Sequence, residues 1–397
     1  MRVRQCLHGS TAALVMLLLV CALLGGSPDT GSGPAFAPGR CRSGELSVER
    51  VVPVLQVAGS PDEIGRAYGT LLREQVHYLR VEYLERILGD GRVKRLALEM
   101  ARPMERHVPE RYLRELAAMA EASGESREDV LLTATFLDLY RTLGCSTLVA
   151  TPPATVGDAF VARNLDFPTF GVAHRYSMVT VYHPQEGGAF LSVTWPGLPG
   201  VISGMNEAGL VLVMLEVSDP DRGLDGIPYQ LLYRRVLEEC DTVDEAEVLI
   251  RQAPRTTANN VVLLDREDEA GVLEVTRSSV VRRGLEGGLL CATNHFRARG
   301  AGLMRRCWRY DILSRESARL HGRLGVAQAA GLLGMANQGP LTMQSMIFQP
   351  QGMRLHLALG EPPSTSRPYV EVDVRTLFDW QSGVGEKGAE TSKEEAP

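Results

Sequence analysis

Leu143-Gly144-Cys145-Ser146-Thr147-Leu148-Val149-Ala150 is where a helical pattern stops and a strand pattern starts. Upstream, Ser126 and Asp129 cap a helix with Val130, Leu131, Ala134, Leu137 and Tyr140 on one face, and the spacing ends it at Leu143-Gly144. Downstream, Ser146 to Ala150 reads as a strand. Taken alone, Gly144 is a helix stop and Cys145 a core residue. If the Gly144–Cys145 bond is cut, Cys145 carries a thiol and an α-amine on one residue. The amine titrates near ~8 and the thiol near ~8.5, so the amine can take the thiol proton without a histidine. Gly144, lacking Cβ, lets Sγ approach the preceding carbonyl.

The next stretch, Ala159-Phe160-Val161-Ala162-Arg163-Asn164-Leu165-Asp166-Phe167, follows a turn containing Pro152, Pro153 and Gly157. Strand pairing across that turn returns Arg163 and Asp166 to Cys145. A buried arginine beside a thiol favours the thiolate, and a carboxylate near the new amine would hold it. A surface Arg-Asp pair, worth little, is the plain alternative.

A Cys followed after 18 residues by Arg-Asn-x-Asp resembles the cysteine N-terminal-nucleophile (Ntn) hydrolases, which include penicillin V acylases, bile salt hydrolases and acid ceramidase. The acyl-CoA:6-aminopenicillanate acyltransferase group is the most similar. The resemblance runs from about Ser60 to Gly360. It continues at Asn206-Glu207-Ala208-Gly209-Leu210, similar to the family's Asn-Glu-x-Gly-Leu turn, at Asn260, and at Thr293-Asn294, with Arg305, Arg306 and Arg309 after it. The order and spacing together carry the likeness; no motif does so alone.

The resemblance implies an α+β fold, the four-layer αββα Ntn-hydrolase sandwich with an N-terminal helical pro-segment. It implies Cys145 as nucleophile and, through its amine, base; Asp166 as anchor of the amine; Arg163 as the group that tunes the thiolate; and Asn294 as donor to the oxyanion. Asn206 is expected to shape a turn and Arg309 to make an outer contact. The implied substrate class is N-acyl amides, with the acyl group held as a thioester on Cys145 and then passed to water or, in an acyltransferase, to another amine; no cofactor and no metal are expected. Where some relatives carry a second oxyanion asparagine, this chain has Leu215 and Glu216, which leaves open a backbone donor or a contact of Glu216 with a substrate amine. Phe167, Phe170, Trp195 and Met205 are candidates to line an acyl pocket.

Beyond Gly144 ten strands are expected: Ser146 to Ala150, Ala159 to Arg163, Ser177 to Tyr182, Phe190 to Trp195, Leu210 to Glu216, Asn260 to Asp265, Val272 to Arg277, Leu289 to Thr293, Gln344 to Gln349 and Arg354 to Leu359. Helical stretches Ile227 to Arg251, Met304 to His321 and Gly325 to Met335 interrupt them. Before Gly144, a strand from Ser47 to Val57 precedes helices that begin at the capping box Ser60-Pro61-Asp62-Glu63 and at about Pro109. The expected divisions are a signal peptide at 1–37 with an uncertain cleavage point, a helical pro-segment at 45–144, a catalytic domain at 145–382 and a disordered tail at 383–397.

The signal rests on Arg2 and Arg4, then the apolar run Ala12 to Leu24, 13 residues long where a membrane span needs ~20. An exported protein is expected, with an uncleaved membrane anchor as the alternative. A net charge of -6 with no basic run argues against nucleic acid. Past residue 37 five cysteines remain, Cys41, Cys145, Cys240, Cys291 and Cys307, an odd count that leaves at least one thiol unpaired. No Cys-x-x-Cys, His-Glu-x-x-His or phosphate-loop pattern occurs. The expected partners are a small N-acyl amide and the chain's own cleaved pro-segment. The rival readings are an unprocessed binding protein on the same scaffold and a thiol peptidase.

Overall fold

The computed structural model describes residues 33–89, 91–141, 144–298 and 306–381. Most of the signal-peptide expectation, Arg305 and the tail fall outside them. Among the described residues, sixteen strands form two sheets. The first, in spatial order, joins β1 (Gly39–Cys41), β2 (Gly44–Glu49), β3 (Val52–Gly59), β6 (Met178–Pro184), β7 (Phe190–Thr194), β8 (Ser203–Asn206), β9 (Val211–Glu216), β10 (Asn259–Leu264), β11 (Ala270–Val275) and β12 (Val280–Arg283). The second joins β13 (Leu289–Ala292), β4 (Gly144–Ala150), β5 (Phe160–Asp166), β14 (Thr342–Gln349), β15 (Arg354–Ala358) and β16 (Val370–Asp373). All pairs are antiparallel except β3 with β6.

Helix Pro61–Leu71 covers β2 and β3, Tyr229–Glu239 covers β8 and β9, and Val243–Gln252 covers β11. On the other side Trp308–Arg319 packs on β13 and β4, and Val326–Met335 on β5 and β14. The sheets face each other through β4 against β9 and β11 against β13. This is the expected αββα layering. It explains why β9 reads as an apolar run from Val211 to Leu215: every residue of Val211–Glu216 is buried, because both faces of an inner strand are covered.

Local chemistry sets the boundaries. The Glu63 carboxylate accepts from Ser60 N at 3.0 Å and Ser60 Oγ at 2.8 Å, closing the expected capping box ahead of Pro61. The strand expected over Ser47 to Val57 is two strands, β2 and β3, because Arg50 takes φ +59 and turns the chain back on itself. The stretch Ile227 to Arg251 is two helices: the first ends at Cys240, and Thr242 with Glu245 builds a fresh capping box. The helix capped by Ser126 ends at Leu139, not at Leu143-Gly144, and Gly144 already belongs to β4. Tyr140 leaves helical geometry at ψ 99. A helix at Gly91–Glu105 and the short strands β1, β8, β12 and β16 were not read from the sequence.

The segment before Gly144 is not purely helical. It supplies three strands of the first sheet, and its helix Glu110–Ser123 is tied to the rest by a buried ion pair. Arg234 Nη1 and Nη2 each lie 2.6 Å from a Glu115 oxygen, and Arg234 Nε lies 2.8 Å from Glu238. The guanidinium also lies over the rings of Tyr112 and Tyr182. All five cysteines past residue 37 are free thiols. No helix among the described residues is long and apolar enough to cross a membrane.

Candidate active site

Cys145 pairs with Leu165 across β4 and β5, and Thr147 pairs with Arg163. Arg163 is thus the diagonal neighbour of Cys145 on the same face of the sheet. Its long side chain closes the gap, and Nη2 lies 3.2 Å from Sγ. Nη1 donates to Ser203 Oγ at 2.5 Å and to the Ile202 carbonyl of the facing sheet. Both Cys145 and Arg163 are fully buried. Among the described residues no carboxylate forms an ion pair with Arg163. A buried guanidinium without a counter-charge is costly, and the Cys145 thiol, able to become an anion, lies within hydrogen-bond reach of it. Burial pushes that thiol above its ordinary range, and Arg163 opposes the shift.

Asn294 sits in the turn after β13. Cys145 N donates to its Oδ1 at 2.8 Å, and its Nδ2 donates to the Glu216 carbonyl at 2.8 Å. Asn260 holds that turn: its Nδ2 donates to the carbonyls of Thr293 at 2.8 Å and His295 at 2.9 Å. Arg309, near the start of helix Trp308–Arg319, donates to the Cys145 carbonyl at 2.5 Å, to Asn294 Oδ1 at 2.9 Å and to Asp166 Oδ2 at 3.2 Å. Asp166 pairs with Gly144 across the strands. Its carboxylate accepts from Thr342 Oγ1 at 2.5 Å and Gln338 Nε2 at 2.6 Å. A Cβ on Gly144 would lie 2.5 Å from that Gln338 nitrogen and 3.1 Å from Asp166 Cβ, so this position accepts only a hydrogen without displacement.

The structure therefore brings Gly144, Cys145, Arg163, Asp166, Asn294 and Arg309 together, with Asn260 behind them. Glu216 joins them through its carbonyl, and its carboxylate lies 3.2 Å from Arg141 Nε. Asn206 stands apart. Its side chain closes the turn onto Leu210 N and caps the carbonyls of Leu237 and Cys240. Sequence reasoning missed Ser203, Gln338, Thr342 and Arg141. Ser203 and Thr342 lie inside strands where a hydroxyl looks ordinary, and Gln338 sits in a connection without a motif.

An apolar pocket lies between the helices before Gly144 and the loops that follow β5 and β7, and neither Cys145 nor Asn294 is among its walls. Leu79, Tyr83, Val130, Phe136, Leu137 and Phe167 are among its walls, and Trp195 also lines it. Of the four expected lining residues, Phe167 and Trp195 are there; Phe170 and Met205 are not among its walls.

Residues 154–321 match the sequence model of the family described as acyl-coenzyme A:6-aminopenicillanic acid acyl-transferase. Protein dcd1B of Dictyostelium discoideum is 26% identical over 257 residues, 58% of this chain and 51% of that protein. The chain spans about half the length of the curated relatives it matches. Among solved structures, an N-acylethanolamine-hydrolyzing acid amidase ortholog of Caenorhabditis elegans aligns with a TM-score of 0.43 at 17% identity, covering 56% of this chain and 96% of that one. A conjugated bile acid hydrolase of Clostridium perfringens aligns at 0.42 and 12%, covering 59% and 93%. Over residues 154–321 the sequence is similar to the model of the acyl-coenzyme A:6-aminopenicillanic acid acyl-transferase family, and the match stops short of half the chain.

Proposed function

We propose that the chain is an exported N-acyl amide hydrolase that cuts itself between Gly144 and Cys145 and then works through the freed Cys145. The observation that carries this reading is the fully buried Arg163, with Nη2 3.2 Å from Sγ and no carboxylate partner among the described residues. Such a cation favours negative charge on sulfur.

In the first step Sγ attacks the Gly144 carbonyl carbon, the C–N bond breaks, and the thiol proton ends on the departing nitrogen. Water then hydrolyses the thioester, giving a Gly144 carboxylate and restoring the thiol. In turnover the new α-amine takes the thiol proton as Sγ attacks an N-acyl carbonyl. The same proton leaves on the released amine, and water frees the acyl group as a carboxylic acid. Oriented N–H donors stabilise the tetrahedral oxyanion at both stages. The apolar pocket beside Phe167 suits the acyl chain. The buried Arg234–Glu115 pair and the three strands before Gly144 would hold the two pieces together after the cut.

Mass spectrometry of purified protein tests the first claim: the expected product is a fragment beginning at Cys145, absent in Cys145→Ala. Amine release from N-acyl amides of graded chain length tests the second. The expected trend is faster release with longer chains, lost in Thr133→Trp, which fills the pocket. An intact wild type that still turns over amides would sink the self-cutting claim. Acyl transfer to an added amine in preference to water would replace hydrolysis.

A further inference from the structure

We propose that Arg141 and Glu216 form a positioning pair that holds the segment entering the Gly144–Cys145 bond ready for its own cleavage. This inference rests on the self-cutting reading. Arg141 lies four residues before Cys145. Its Nε is 3.2 Å from Glu216 Oε1, and its Nη2 donates to the carbonyls of Val217 at 2.6 Å and Ala258 at 3.1 Å. The side chains of Arg141 and Glu216 are only 6% and 8% exposed.

The other end of the segment is tied to the same place. The Glu216 carbonyl accepts from Asn294 Nδ2, whose Oδ1 accepts from Cys145 N. Glu216 thus grips the entering chain at Arg141 through its carboxylate and at Cys145 through its carbonyl and Asn294. Arg309 holds the far side by donating to the Cys145 carbonyl at 2.5 Å. Three residues separate Arg141 from Cys145, so the chain's limited reach means that holding both ends narrows the positions open to the Gly144 carbonyl. Attack needs the reacting atoms close and aligned, and small misplacements slow it steeply.

A surface arginine would have no such effect, since a solvated pair tethers weakly. Here the pair is buried, and removing one member leaves the other uncompensated. Single variants therefore confound folding with positioning. The double variant Arg141→Met with Glu216→Gln leaves neither charge behind and separates the two.

The test follows the full chain made by cell-free translation with a short label pulse, and times the appearance of the fragment beginning at Cys145. Arg141→Ala should slow the cut by about tenfold or more, as a displaced reacting group does. Arg141→Lys, which keeps the charge but not the planar fork of donors, should recover part of the rate. The double variant should melt near the wild type and still cut slowly. Wild-type cutting rates in the double variant would overturn the inference. A wild type that never cuts yet releases amine would instead sink the reading on which it rests.

Discussion

The amide of Asn294 presents its oxygen, not its nitrogen, to Cys145: Cys145 N donates to Oδ1 over 2.8 Å. The orientation is dictated by its other partners. Arg309 Nη2, 2.9 Å from Oδ1, can only donate, and the Glu216 carbonyl, 2.8 Å from Nδ2, can only accept. In the continuous chain Asn294 therefore fixes the Cys145 nitrogen, whereas the resemblance implied a donor to the oxyanion.

These two jobs separate in a pair of variants. Asn294→Asp keeps an acceptor for Cys145 N and Arg309 but loses the N–H donor, and Asn294→Ala loses both. Cutting should persist in the aspartate variant and slow in the alanine variant. Amide turnover by the cut aspartate variant should fall by on the order of a hundredfold, the usual effect of losing one oxyanion donor. Fragment timing and steady-state kinetics on the same preparations check both. Equal turnover in Asn294→Asp and wild type would remove Asn294 from oxyanion binding.

Arg163 has a pH signature. Burial raises the Cys145 thiol and Arg163 holds part of that rise back. Arg163→Met removes the one donor to the sulfur among the described residues, so the thiol should titrate still higher. The acid limb of the pH–rate profile should move to higher pH, with rates at neutral pH down by about a hundredfold or more. Arg163→Lys should shift the limb less. A lowered rate with an unmoved limb would make Arg163 a packing residue.

Gly144 makes a steric prediction. The 2.5 Å approach of a Cβ to Gln338 Nε2 means that Gly144→Ala must push Gln338 off Asp166. The cut should slow by about tenfold, in line with a small shift of reacting atoms. Gln338→Ala on top of Gly144→Ala should restore part of the rate, because the flexible end of the clash is gone. Timed fragment analysis of the single and double variants decides it; no recovery would place the strain at Asp166 Cβ instead.

How much of this was legible depended on range. Capping at Ser60 and Ser126, and the diagonal placing of Arg163 against Cys145, follow from short spacings that chain geometry fixes. The strand over Ser47 to Val57 failed because Arg50 adopts a positive φ that a non-glycine rarely takes. The helix ahead of Cys145 ends at Leu139, four residues before Leu143; Gly144 resembles a helix stop in sequence yet lies in β4, close against Gln338. Gln338, Thr342 and Arg141 reach the site from segments far apart in sequence or without a motif. No local pattern marks them, since only tertiary packing gives their polar atoms a partner.

Asp138 should leave its mark on the stability of the whole fold. It is buried at the end of helix Arg127–Leu139, accepts from Thr256 Oγ1 at 2.5 Å and from Tyr229 N at 3.3 Å, and burial pushes its carboxyl up to about 7. An unfolded aspartate titrates near ~3.9. Between those values the folded chain holds a proton that the unfolded chain releases, so stability falls as pH rises. The contribution is fully present below the unfolded value and is lost as pH climbs through about 7. Asp138→Asn has no proton to lose, while its oxygen can still accept from Thr256. Thermal melts from pH 4.5 to pH 7.5 should therefore show the wild type losing stability relative to Asp138→Asn as pH rises. Parallel curves for the two proteins would mean that Asp138 is ionised throughout, with Arg141, which acts on it across the site, as the group able to hold that charge.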